Sequence, residues 1–177
     1  MRIVTIGTAA LLAWGLAACD DGPRTGAPLA DGARAVANLR TPDGADVGRA
    51  TATEVAGGLR FTIDVKGLPH GTHGAHVHMT GACTPPDFAS AGGHWNPTGM
   101  KHGSMNPQGP HEGDLPNLIV GTDGRGTIGI TIPGATMAGL LDSDGSALVV
   151  HANADDLMTD PSGNSGSRIA CGVFAAG

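Results

Sequence analysis

A chain of 177 residues has room for one sizeable core, and its 30 glycines and 12 prolines, with three Phe, two Trp and no Tyr, describe a loop-rich domain whose interior rests on Val, Ile, Leu and Ala. Ten Lys and Arg against 16 Asp and Glu leave a formal net charge of −6. No basic run exists that could follow a phosphate backbone, so no nucleic-acid partner is expected.

The N-terminus reads as a targeting segment. Arg2 precedes an apolar run, Ile3 to Leu16, that is short for a bilayer span, and Leu16-Ala17-Ala18-Cys19 then sets small residues before a cysteine. Residues 1–18 are therefore read as a signal peptide of the bacterial lipoprotein type, with Cys19 as the lipidated residue; an ordinary secretory signal cut nearby is the alternative. Residues 19–32 follow as lipidated cysteine and tether, rich in Gly, Pro, Ala and charge and without periodicity. The expectation is an extracytoplasmic, membrane-anchored lipoprotein, in a periplasm or on a cell surface. With Cys19 so committed, Cys83 and Cys171 form an even pair in an oxidising compartment, where a disulfide is expected rather than two buried thiols.

Residues 33–177 form the folded domain. Phe61, Ile63 and Val65 alternate with polar neighbours, as do Ile128, Ile130 and Ile132, which is the period of strands with one buried face. Pro42-Asp43-Gly44, Gly57-Gly58, Asp123-Gly124 and Asp144-Gly145 supply turns. Strands are predicted at 33–40, 47–55, 59–66, 72–79, 117–120, 126–132, 146–153 and 169–174, and no segment carries a helical stripe. Eight short strands predict an all-β domain, an eight-stranded antiparallel Greek-key barrel or sandwich with long loops.

Within the fourth strand, His76 and His78 stand at i and i+2, so both imidazoles point to one face and can share a metal; two exposed polar residues would be the plainer reading of the pair alone. The stretch between Met79 and Asn117 has almost no apolar periodicity but carries His94, His102, His111 and Asp114. A structureless loop this long needs a restraint other than a core. The Cys83 disulfide can pin its start, and three imidazoles with one carboxylate suit a closed, structural tetrahedral zinc site; a metal-free histidine-rich loop is the alternative. His151 closes the apolar run Leu148-Val149-Val150.

These residues, read in order, resemble the copper,zinc superoxide dismutases. The resemblance rests on Gly71-x-His73-Gly74-x-His76-Val77-His78, Gly93-His94-Trp95-Asn96-Pro97, Lys101-His102-Gly103 and His111-Glu112-Gly113-Asp114. It continues through Val149-Val150-His151, Ala154-Asp155-Asp156 and Gly166-Ser167-Arg168-Ile169-Ala170-Cys171-Gly172-Val173, and so covers residues 33–174. It implies copper held by His76, His78, His94 and His151, zinc held by His94, His102, His111 and Asp114, and His94 as the shared imidazolate. It further implies that Asp155 orients a copper histidine and a zinc histidine, that Arg168 receives the superoxide anion, that Cys83 pairs with Cys171, and that His73 serves as a structural hydrogen-bonder. His70 is read as an exposed turn residue. The implied activity is dismutation of superoxide to dioxygen and hydrogen peroxide, in extracytoplasmic defence, by a monomer or a homodimer.

Two departures from the pattern stand out. Ala75 occupies a position where the family often has an aromatic residue. After Asp156, the segment up to Arg168 carries Asp160 as its only charge, so any steering of an anion must come from Arg168, with Lys101 as a second candidate. A metallo-β-lactamase-like hydrolase would need an Asp-His after His78, and a cupin a nearby glutamate; neither is present. A non-catalytic copper and zinc binding module on the same fold is the alternative of a different class.

Overall fold

The computed structural model describes residues 32–177 and Met1, so the signal peptide, Cys19 and the tether up to Asp31 lie outside the described residues. The described strands are β1 (Arg34–Arg40), β2 (Asp46–Val55), β3 (Gly58–Val65), β4 (Gly71–His73), β5 (Ala75–His78), β6 (Leu118–Val120), β7 (Gly126–Pro133), β8 (Ala147–His151), β9 (Arg168–Val173) and β10 (Ala175–Ala176). All their pairings are antiparallel. The main sheet runs β5-β8-β9-β1-β2-β3-β7 with β10 on β1, while β4 and β6 form a separate ribbon. Pairing of β3 with β7, β5 with β8 and β1 with β9 brings distant segments side by side, as a Greek key requires.

Alternation places the core. Leu59, Phe61 and Ile63 of β3 are fully buried while Arg60 and Asp64 of the same strand are exposed. Ala35, Ala37 and Leu39 of β1 and Ala50 and Ala52 of β2 face the same interior. In β8 both faces are covered: Leu148 and Val150 join this core, whereas Ala147 and Val149 pack with Phe88, Ala91, Cys171 and Cys83 in a second, smaller cluster. The Cys83–Cys171 disulfide, with Cα atoms 5.7 Å apart, closes that cluster over a sequence separation of 88 residues.

Two differences from the sequence reading have local causes. The single strand expected at 72–79 is two strands, because Gly74 donates its N–H to the Asn153 carbonyl (2.8 Å) and accepts from His151 N–H (2.9 Å). The chain thus leaves the ribbon with β6 and enters the main sheet beside β8. A short helix, α1 (Met137–Leu140), was not expected. Thr136 caps it by accepting from Gly139 N–H at 3.1 Å, and Met137 and Leu140 are buried beneath it, too few positions to show a helical period.

Candidate metal centre

The long loop after β5 is not loose backbone, because it completes the edge of β5 that β8 leaves free. Val77 N–H donates to the Gly113 carbonyl (2.9 Å), Trp95 N–H to the Val77 carbonyl (2.8 Å) and Met79 N–H to the Gly93 carbonyl (2.9 Å). These bonds set His94 opposite His78 and Asp114 opposite His76. Ala75 and Val77 enter the barrel core, so His76 and His78 project from the other face, beneath the loop. His151 reaches the same space from the end of β8. Two four-residue groups result, His76, His78, His94 and His151, and His94, His102, His111 and Asp114, each offering ligand atoms within 4.8 Å of one another, with His94 common to both. The family resemblance implied these two sets, and the fold brings every member of each together.

Hydrogen bonds behind the rings decide which nitrogen each one presents. His78 Nδ1 donates to the Gly92 carbonyl (2.9 Å) and His151 Nδ1 to the Gly166 carbonyl (3.2 Å), leaving their Nε2 atoms facing each other at 3.4 Å. His76 and His102 are turned the other way, donating Nε2–H to Asp155 Oδ2 (2.7 Å) and Oδ1 (3.0 Å). One buried carboxylate therefore orients one ring of each group, as the resemblance implied for Asp155. In the second group Asp114 Oδ2 accepts from Gly103 and His111 N–H at 2.8 and 3.0 Å. Its Oδ1 then faces Nδ1 of His94, His102 and His111 at 2.8, 3.1 and 3.2 Å.

These residues fit copper and zinc. His76 Nδ1, His94 Nε2 and His102 Nδ1 are buried with no hydrogen-bond partner, a costly state for a polar atom unless something else is bound there. His102 Nδ1 is the clearest case, since it lies 3.1 Å from Asp114 Oδ1 without the angle of a hydrogen bond. That spacing suits edges of a tetrahedron whose bonds are ~2.0 Å, for which an edge is ~3.3 Å.

Electrostatics favour the neutral ring at His78, His94 and His151 of the first group. Burial, with the neighbouring His94 ring, pushes His78 down to about 2, and burial with the neighbouring His76 ring takes His151 to about 3. Burial lowers His94 to about 4 despite Asp114. Neutral imidazole is the form that ligates metal. His102 goes the other way: burial opposes its charge, but the adjacent Asp114 and Asp155 carboxylates raise it to about 9. The same contacts outweigh burial at the two carboxylates and hold both well below the usual range.

Arg168 lies half-buried beside the first group, donating to the Phe88 and Gly92 carbonyls, both at 2.7 Å. The Gly92 carbonyl is the one His78 uses, so guanidinium and ring are registered through one oxygen. Lys101 corrects an expectation: its Nζ pairs with Asp160 at 3.2 Å, so its charge is offset and Arg168 remains the cation of this side without such a partner among the described residues. His73 spans the Pro69 and His151 carbonyls at 2.9 and 2.8 Å and stays out of both groups, and His70 is exposed, as read. The sequence did not reveal Asn117, which holds Asp155 by both backbone groups at 2.8 and 2.9 Å, or Gly163. A Cβ at Gly163 would stand 1.8 Å from Asp155 Oδ1, and its φ is +62°. Neither residue carries a local signal, because each acts through a partner far along the chain.

Residues 47–174 match the family model described as copper/zinc superoxide dismutase. Superoxide dismutase (Cu-Zn) 2 of Aquifex aeolicus is 42% identical over 149 residues, covering 80% of this chain and 86% of that one. The Cu-Zn superoxide dismutase of Caulobacter vibrioides is 44% identical over 147 residues, covering 79% and 84%. Among solved structures, a superoxide dismutase-like protein of Bacillus subtilis superposes with a TM-score of 0.75 at 41% identity, covering 79% of this chain and 97% of that one.

Proposed function

This chain belongs to the copper/zinc superoxide dismutase family, and from that premise we infer that it dismutes superoxide with copper and zinc as cofactors. His76, His78, His94 and His151 are the copper set, His94, His102, His111 and Asp114 the zinc set, and His94 the bridge. The observation that carries this reading is His94 itself: its Nδ1 faces Asp114 in one group while its buried Nε2 has no protein partner and the ring belongs also to the other group. Bound copper supplies one-electron exchange, and bound zinc a fixed charge beside the bridging ring.

The chain's own groups supply the rest. Two superoxide anions and two protons give one dioxygen and one hydrogen peroxide, so a proton must be held near the reacting anion. His94 Nε2 is the atom placed to take and return one of them, the second coming from solvent. Arg168 holds the anion by charge, and its guanidinium is fixed by two carbonyls before the anion arrives, so little ordering remains to be done. Asp155 keeps the His76 and His102 rings from turning.

The test is direct superoxide decay catalysed by the chain loaded with both metals, beside Arg168→Ala. Rapid decay, cut by about tenfold or more in the variant, is the expected result, in line with an electrostatic steering role. Full metal occupancy without catalysed decay would replace this reading with metal binding alone.

The chain is also proposed to work outside the cytoplasm, anchored through Cys19. The Leu16-Ala17-Ala18-Cys19 sequence and the Cys83–Cys171 disulfide both support this, since disulfides persist where thiols are not kept reduced. Cys19→Ser should release the chain from membranes, and undiminished retention would count against the anchor.

A further inference from the structure

The fold gathers basic residues that the sequence keeps apart. Arg34, Arg49 and Arg60 lie on three different strands, yet register sets Arg34 opposite Thr53 and Thr53 opposite Arg60 in one row across β1, β2 and β3. Thr131 of β7 extends that row. Two rows along the same face, Thr51 pairs with Thr62, and beyond them Arg49 stands between Asn38 and Asp64. The three arginines are exposed and form no ion pair among the described residues. Asp64 is the acid among them, and its Oδ1 is occupied by the Thr127 hydroxyl at 3.0 Å. The result is a flat Arg and Thr face.

Charge is segregated across the molecule. Residues 34–66 and 121–133, which hold β1, β2, β3, β7 and their turns, carry six Lys and Arg against five Asp and Glu; the rest of the described domain carries two against eight. The excess negative charge therefore lies with the metal-side loops. Arg49 and Arg60 alternate with core residues Ala50 and Phe61, as His76 and His78 do with Ala75 and Val77, so the Arg face and the metal groups look away from the core on opposite sides.

We propose that the Arg34, Arg49 and Arg60 face docks on an anionic lipid surface and so turns the metal centre toward the open compartment. The described chain begins on this face: Gly32 and Ala33 line the same shallow depression as the three arginines. The inference rests on the anchored reading of Cys19 for proximity, because the stretch from Cys19 to Gly32 reaches at most about 45 Å when fully extended. Each basic residue near an anionic bilayer shifts the balance roughly fivefold, and tethering makes such weak contacts count by raising their effective concentration. At physiological salt the charge of the far side is largely screened, since the Debye length is about 8 Å, while the face itself lies within it. Docked this way, the domain also keeps its acidic loops away from the like-charged membrane.

The experiment places the lipidated, metal-loaded full chain on vesicles with fluorophores at Thr131→Cys, on the face, or Met158→Cys, an exposed position on the metal side. A headgroup quencher reports which probe lies nearer the bilayer. On vesicles of roughly one-third phosphatidylglycerol, quenching at Thr131 should exceed that at Met158 about threefold or more; pure phosphatidylcholine, or R34Q/R49Q/R60Q, should bring the ratio to about one with superoxide decay unchanged. A ratio near one on anionic vesicles, or one unmoved by the triple variant, overturns the proposal. So does a face that holds an anionic wall glycan in a pull-down while the vesicle ratio stays near one. A chain that washes off both vesicle types tells against lipidation at Cys19. The same probes on free chain added to vesicles then decide the face: selective quenching at Thr131 on anionic lipid supports it, and none overturns it.

Discussion

Different physics holds the sheet of β1, β2, β3 and β7 and the loop from Met79 to Asn117. In the sheet, alternate side chains are apolar and packed in or against the core, and the ladder between β2 and β3 pairs eight consecutive positions without a slip. In the loop, Trp95 and Leu115 reach the main core and Phe88 and Ala91 the smaller cluster, but buried His94, His102 and His111 stand where a core would have leucines, and edge bonds to β5, the disulfide and the two candidate metal groups hold the rest. Hydrophobic burial is spread over many small contacts, whereas the loop depends on a few strong, directional ones.

Stripping both metals with a chelator should break the comparison most sharply. Amides of the loop and of 153–166 should exchange about a thousandfold faster, while those of β2 and β3 change less than about tenfold, because metal binding free energy is local ordering free energy here. Hydrogen exchange followed by mass spectrometry reads this, and uniform loss of protection would show that the two regions are one unit.

Phe61→Ala attacks the other side. Phe61 is fully buried and meets Phe174 edge-on at 6.0 Å, so the cavity should cost about 3–5 kcal/mol in denaturant unfolding. Metal content and activity per folded molecule should stay at the parent level. A large drop in metal affinity would mean that the core positions the ligands more tightly than the separation of the two regions allows.

Gly163→Ala has the smallest expected effect on the fold and acts mainly on the metal side. The new Cβ would strike the Asp155 carboxylate and displace His102, so metal affinity or activity should fall about ten- to a hundredfold, while the left-handed backbone at this position lowers the Tm of the metal-free chain by about 2–8 °C. Parent-like affinity would mean that Asp155 can move without consequence, and its role in orienting His76 and His102 would have to be abandoned.

Much of the molecule was legible because it is written locally. Period-2 alternation follows from covalent geometry, so β1, β2, β3 and β7 were found within about a residue, and the candidate metal-binding side chains stood out because a His-x-His pair on a strand and several histidines in one loop are rare chemistry. The break at Gly74 was not legible, since Thr72 to Met79 alternates across it; what divides it is the Asn153 carbonyl, from a distant segment. Lys101 looked like a free cation for the same reason, its partner Asp160 standing 59 residues away.

The sequence by itself determined the strand-forming segments, the ligand types and the even cysteine pair, all properties of single residues or of their immediate neighbours. Only the tertiary structure decided which nitrogen each ring presents, that Asn117 and Gly163 hold Asp155 in place, and that Arg34, Arg49 and Arg60 share one face. Those outcomes depend on hydrogen bonds and register between positions far apart in the chain, and such contacts leave no mark on local periodicity.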